Sequence, residues 1–282
     1  MLRRWCVLLA MLAVTVGTAL TAGTASAATG ALPGQTGLGG NGWPWPPAGT
    51  QSWSPGGPVN LVGQTFAKTS GEAESTNWSG YAGTTGTYTS VSASWTQPTG
   101  TCTSGDQYAA FWVGLDGYSS STVEQTGSEV DCVGRTAEYY AWYEAYPKAS
   151  VDYNNTVKAG DQFTATVTYT SGTSFTLYID DITEGWSHST VVSVSGAKRT
   201  SAEVIAEAPC CTFLGGILPL TNFGTVSFTA STANGADLGA AGGLTEIIMV
   251  DNSRRDKDTI STPLNPAGVA GQNFSATWVS SS

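Results

Sequence analysis

The chain has 282 residues, a formal net charge of −10 and only 11% charged residues. So acidic a chain carries no nucleic-acid footprint, and no segment reaches a comfortable membrane-spanning length. The length exceeds one small domain but suits a single all-β unit.

At the N-terminus, Arg3 and Arg4 precede an apolar run from Val7 to about Leu20, and Ala25-Ser26-Ala27 offers a small-residue cleavage site. This is the layout of a secretory signal peptide over residues 1–27. Export with cleavage near Ala27/Ala28 is expected, with no stable membrane association. Losing Arg3 and Arg4 takes the formal charge to −12. A chain with few ionised groups loses little stability when its carboxylates protonate, which suits an acidic medium. Cys6 leaves with the leader, and Cys102, Cys132, Cys210 and Cys211 remain. Four cysteines in an exported chain suggest two disulfides with three connectivities. Cys102–Cys132 is the preferred long-range pair, which would leave Cys210–Cys211 as a vicinal bridge.

Residues 28–74 are rich in Gly, Pro, Ser and Thr and carry Trp43, Trp45 and Trp53. The GNGWPWPPAG run from Gly40 to Gly49 can form neither a helix nor a central strand. This segment reads as a linker or a short propeptide. Residues 75–282 read as the folded domain. There Phe163, Ala165, Val167 and Tyr169 alternate with threonines, Phe175, Leu177 and Ile179 alternate with polar residues, and Phe274, Ala276 and Trp278 repeat the theme. Such alternation predicts half-buried strands. Ala159-Gly160-Asp161, Ser171-Gly172 and Gly242-Gly243 separate them as turns. Many short strands and no helical-period stretch predict an all-β fold, an antiparallel β-sandwich of two sheets.

Three segments sort by face, because successive strand side chains point to opposite sides. In AAFWVGLDG, Phe111, Val113 and Leu115 oppose Trp112, Gly114 and Asp116. In AEYYAWYEAYP, Glu138, Tyr140, Trp142, Glu144 and Tyr146 share one side. In SAEVIAEAP, Glu203, Ile205 and Glu207 share one side. A core face would exclude Glu, whereas aromatic walls with a few carboxylates suit a binding cleft. A decorated solvent surface is the plain alternative.

Familiar catalytic sets are missing. His188, the only histidine, reads as a structural or surface loop residue, and neither GxSxG nor HExxH occurs. Asp180-Asp181 read as edge or turn charges. Glu203 and Glu207 lie about 13 Å apart along one strand, which suits a glycosidase pair poorly. A carboxylate on a neighbouring strand such as Glu144 would serve better, so a glycoside hydrolase and a carbohydrate-binding sandwich stay as alternatives. No metal or other cofactor is implied.

The motifs NWSGY from Asn77, WVGLDG from Trp112, EQTG from Glu124, AWYEAYP from Ala141, AGDQF from Ala159, AEVIAE from Ala202 and LPLTNFGTVSFT from Leu218 occur in this order over nearly all of residues 75–282. In this the chain resembles the glutamic peptidases, or eqolisins. The resemblance implies two bent antiparallel sheets with a cleft across one. It implies Gln125 as the catalytic glutamine and Glu207 as the catalytic glutamate. Glu203, Trp112, Asp116, Trp142, Glu144 and Tyr146 then line or support the cleft. Tyr140 stands where many members have Asp, Val204 replaces an aromatic, and either Glu129 or Asp131 matches a supporting Asp. The resemblance implies a monomeric, acid-active endopeptidase whose partner is a polypeptide substrate; a member that binds peptides without cutting them is the remaining alternative. In this scheme Glu207 takes a proton from water and the Gln125 amide steadies the oxyanion. Nearby acids such as Asp116 and Glu203 must then be mostly protonated.

Overall fold

The computed structural model describes residues 66–69, 71–210 and 216–282. The leader, most of the Gly/Pro-rich arm and Cys211, hence the vicinal bridge, lie outside the described residues. In chain order the strands are β1 (Phe66–Thr69), β2 (Glu72–Ser75), β3 (Trp78–Gly83), β4 (Ser90–Thr96), β5 (Gln107–Leu115), β6 (Val123–Val133), β7 (Thr136–Tyr146), β8 (Val151–Tyr153) and β9 (Gln162–Ser171). They continue as β10 (Ser174–Asp181), β11 (Trp186–Ser193), β12 (Ala202–Glu207), β13 (Thr225–Ala233), β14 (Ala236–Asp237), β15 (Thr245–Val250), β16 (Asp256–Thr262) and β17 (Phe274–Trp278). Among the described residues the helical elements are two short 3₁₀ turns, Leu238–Ala240 and Pro266–Gly268.

Hydrogen bonding arranges these strands as two layers. One runs β1-β2-β15-β3-β12-β5-β6-β7-β8. The other runs β16-β17-β13-β4-β9-β10-β11. The all-β sandwich expected from the alternation is the fold observed. Two features were not expected. β2 pairs in parallel with β15, so strand pairing begins before residue 75. β15 also bonds β16 across a register shift at Met249/Val250, which joins the two layers along one seam.

Alternation explains why the layers stack. Phe111, Val113 and Leu115 of β5 and Val204 and Ala206 of β12 face Val91, Ala93, Phe163, Ala165, Val167, Leu177 and Phe228 of the other layer in one buried core. Trp95 stacks on Phe163 at 5.8 Å and donates its indole N–H to Ser128 Oγ. Burying each such large side chain contributes about 1.5–3 kcal/mol. The Cys102–Cys132 disulfide is present, its partners 30 positions apart in the chain.

Two readings need correction. His188 lies on β11, not on a loop; it stacks on Tyr153 at 4.3 Å and its Nε2 meets Asn155 Oδ1 at 2.7 Å, so its role is structural. Glu124 shows that a core-side position does not exclude Glu. It pairs across strands with Leu115 and Ala145 and is wholly buried. Burial, helped by the charge of Asp116, pushes its carboxyl up to about 8, so it is tolerated inside as the neutral acid.

Candidate active site

The side of β12, β5, β6 and β7 that turns away from the inter-layer core carries the residues singled out by the sequence. Cross-strand register sets them in three rows. The first is Glu203, Gly114, Gln125 and Glu144; the second is Ile205, Trp112, Gly127 and Trp142; the third is Glu207, Ala110, Glu129 and Tyr140. Trp78, Ala110, Trp112, Trp142 and Ile205 form a second buried apolar cluster beneath them. Trp78 meets Trp112 edge to face at 4.9 Å.

Gln125 and Glu207 therefore share one surface, on strands two apart. They lie roughly 10 Å apart across the sheet and roughly 13 Å along it at the backbone. Trp112 occupies the midpoint of that diagonal. Gln125, Glu207 and the Trp112 between them are all fully buried.

Specific side chains hold each of the two. Glu207 Oε2 accepts the Trp112 indole N–H at 2.7 Å, and Oε1 accepts the Asn77 amide at 3.2 Å. Asn77 is fixed in turn by Ser75 Oγ and by its carbonyl, which accepts from Ala208 N–H. On the other flank, Gln125 Nε2 donates to Glu144 Oε2 at 2.6 Å. A primary amide has two N–H donors and one carbonyl acceptor. Committing one donor to Glu144 fixes the plane of the amide. Glycine makes this packing possible. A Cβ at Gly127 would sit 2.2 Å from the Phe111 carbonyl oxygen, and one at Gly114 would sit 2.8 Å from the Trp112 ring.

The surrounding acids are buried. Burial raises Glu203 well above its ordinary range, with the charges of Asp116 and Glu124 adding. Burial likewise raises Glu129, with the charges of Asp131 and Glu207 adding. Asp131, which accepts the Tyr140 hydroxyl at 2.9 Å, is pushed up to about 7, again mainly by burial. Register puts Glu129, not Asp131, in the row of Glu207 and Tyr140, and Asp131 one row beyond. In mild acid all three are protonated, so little negative charge opposes Glu207.

The remaining candidates separate by position. Trp142 is buried in the middle row. Tyr146 packs on the rim of the second cluster, half-buried, before a cis peptide to Pro147. Asp116 looks elsewhere: its carboxyl accepts the backbone N–H groups of Lys198, Arg199 and Thr200 at 2.7–3.0 Å and so anchors that loop. Sequence reasoning quoted Asn77 within a motif without giving it a task. It lies just before β3, and only the pairing of β3 with β12 brings it to Glu207. Among the described residues no three His, Cys, Asp or Glu side chains gather as a metal-binding group.

The profile of the Peptidase A4 family matches residues 76–268. Aspergillopepsin-2 from Aspergillus niger is 29% identical over 236 residues, covering 78% of this chain and 75% of its own length. Scytalidopepsin B from Scytalidium lignicola is 35% identical over 176 residues, covering 60% of this chain and 65% of its own. Among solved structures, scytalido-glutamic peptidase with a peptide-based transition state analog matches with a TM-score of 0.60 at 28% identity, over 72% of this chain and 98% of that one. The aspergilloglutamic peptidase of Aspergillus niger matches with a TM-score of 0.53 at 26% identity, over 61% and 99%.

Proposed function

The chain belongs to the Peptidase A4 family, and from that membership we propose that it is a glutamic endopeptidase that cuts polypeptides in acid through Gln125 and Glu207. The observation that carries the reading is the pair of neutral donors, Trp112 and Asn77, aimed at the two oxygens of Glu207 on the surface that also bears Gln125. Donors of this kind favour a carboxyl that accepts, which is what a general base must do. Glu207 takes a proton from the attacking water. The Gln125 N–H not committed to Glu144 steadies the oxyanion, and its carbonyl holds the water. Glu207 then returns the proton to the leaving amine.

In this reading Glu203, Glu129 and Asp131 stay neutral at the working pH and lower the repulsion that a second charge would bring to Glu207. Tyr140 supplies a hydroxyl to Asp131 in place of a further carboxylate. Trp142 and Tyr146 give apolar walls for substrate side chains. The reaction needs no metal, so chelators leave the rate unchanged. Export through residues 1–27 belongs to the same proposal, and the mass of the secreted form tests it. Among the described residues no helix is long and apolar enough to cross a membrane.

The deciding assay is digestion of denatured casein between pH 2 and 6, with and without pepstatin. Pepstatin-resistant cleavage is expected, abolished in folded Glu207→Gln and strongly reduced in folded Gln125→Ala. Removing one oxyanion donor costs about 2.7–4 kcal/mol of barrier, so Gln125→Ala should lose about 10²–10³ in kcat. A folded Glu207→Gln protein with full activity would refute the assignment.

A further inference from the structure

Beyond the Glu207 end of β12 lies a pocket of about 590 Å³ whose walls include Thr76, Leu218, Pro219, Asp251, Arg255 and Lys257. It adjoins the catalytic row through two short links. Thr76 is the neighbour of Asn77, which holds Glu207. Leu218 N–H donates to the carbonyl of Pro209, two residues past Glu207.

The charged groups of this pocket are Asp251, Arg255, Lys257 and the terminal carboxylate of Ser282. Asp251 is fully engaged: its carboxylate accepts the backbone N–H groups of Ser253 and Arg255 and pairs with the Arg255 guanidinium at 2.6 Å. Lys257 is only 4% exposed, yet its ammonium makes no hydrogen bond or ion pair with any described residue. Residues 1–65, 70 and 211–215 contain no Asp or Glu, so no carboxylate side chain outside the described residues can serve it. Lys257 lines the pocket, and a cation in so sheltered a place gains from an anion that meets it. Burial pulls the Lys257 ammonium down to about 8, with the Asp251 charge resisting, so it stays charged throughout the acid range.

We propose that this pocket is a carboxylate subsite in which Lys257 receives an ionised carboxyl group of the bound polypeptide, from an acidic side chain or a free C-terminus, beyond the Glu207 end of the cleft. The proposal rests on the peptidase reading for the identity of its ligand. It adds a preference for acidic substrates to a site whose other walls are aromatic.

The test uses peptide sets in which a single Glu is exchanged for Gln at each position around the cleaved bond, each with a free or an amidated C-terminus. Assays run near pH 5, where a Glu side chain is mostly ionised. At one position the Glu peptide, or at the terminus the free acid, should be cut with a kcat/KM at least tenfold higher, most of it in KM, the ordinary worth of a hydrogen bond to a charged group. Lys257→Met should erase that ratio and leave the uncharged peptides within about twofold. The two sources separate by which arm, side chain or terminus, shows the effect. Calorimetric titration of the same peptides into Glu207→Gln and into Glu207→Gln/Lys257→Met reads the preference without catalysis. A ratio near one at every position, or one that survives Lys257→Met, overturns the subsite and leaves the peptidase intact. A Lys257-dependent binding preference in a chain that cuts nothing upholds the subsite and overturns the peptidase.

Discussion

At the scale of single residues, the tuning of Glu207 rests on two donors that can be removed one at a time. Asn77→Ala takes one away. The charged form of Glu207 is then less favoured, so the acid limb of the kcat/KM profile should move to higher pH, by about one pH unit for a loss near 1.4 kcal/mol. Trp112→Phe should move it in the same direction while keeping the ring. A profile unmoved by both changes would separate Asn77 and Trp112 from the chemistry. Glu144→Ala removes one of the bonds that orient the Gln125 amide; kcat should fall with KM little changed, because the substrate walls are untouched. Period-2 alternation puts Trp112, Glu144 and Glu207 on the mixed faces of their own strands, Gln125 comes only from the resemblance to the glutamic peptidases, and strand pairing brings the four onto one side of the sheet. Asn77 could not be read in either way, because it lies outside a strand and its partner is 130 positions away. Lys257 was hidden for another reason. In Arg254-Arg255-Asp256-Lys257-Asp258 it reads as part of a solvated charge run, and only the packing of β16 buries it.

Elements position these side chains, and their tolerances are testable. Gly127 lies between Trp112 and Trp142 in the middle row. A methyl there would meet backbone rather than a movable side-chain tip, so β5 and β6 must separate. Gly127→Ala should cost about 1–3 kcal/mol of stability and most of the activity, measured by thermal unfolding alongside casein turnover. Asp116→Ala should act on the 198–200 loop, where three backbone N–H groups lose their acceptor. With about 1–3 kcal/mol per buried unsatisfied group as the scale, the melting temperature should fall by several degrees with catalysis affected less than stability. The strands themselves were legible where a half-buried face gives alternation, as in β9 and β10. The short β2 was not legible, because four residues carry no period and parallel pairing with a strand 174 positions away leaves no local mark. His188 was misread because glycine and serine neighbours mimic a loop, whereas pairing with β10 decides the matter.

For the whole molecule, the buried acids dictate how stability follows pH. Burial raises Glu124 to about 8, Asp258 to about 8 and Asp131 to about 7. Because these folded values lie above the ordinary ones, the stabilisation is complete below about pH 4 and is lost as pH climbs through 7 to 8. At about 1.36 kcal/mol per pH unit, Glu124 and Asp258 are each worth several kcal/mol, a large part of the usual 5–15 kcal/mol total. Lys257 is charged through the acid part of that window and begins to lose its proton only as pH nears 8. The urea midpoint followed by circular dichroism should be highest near pH 3–4 and collapse towards pH 8; a midpoint that rises with pH would contradict the burial of these groups. The two-faced strands carry one more consequence. Reagents and interior are written on alternate letters of the same ribbons, so in β5, β6, β7 or β12 an insertion of one residue transposes them. Glu207 would turn inward and Ala206 outward, whereas an insertion of two restores the reading. Length variation in these four strands should therefore be tolerated, if at all, only in even steps.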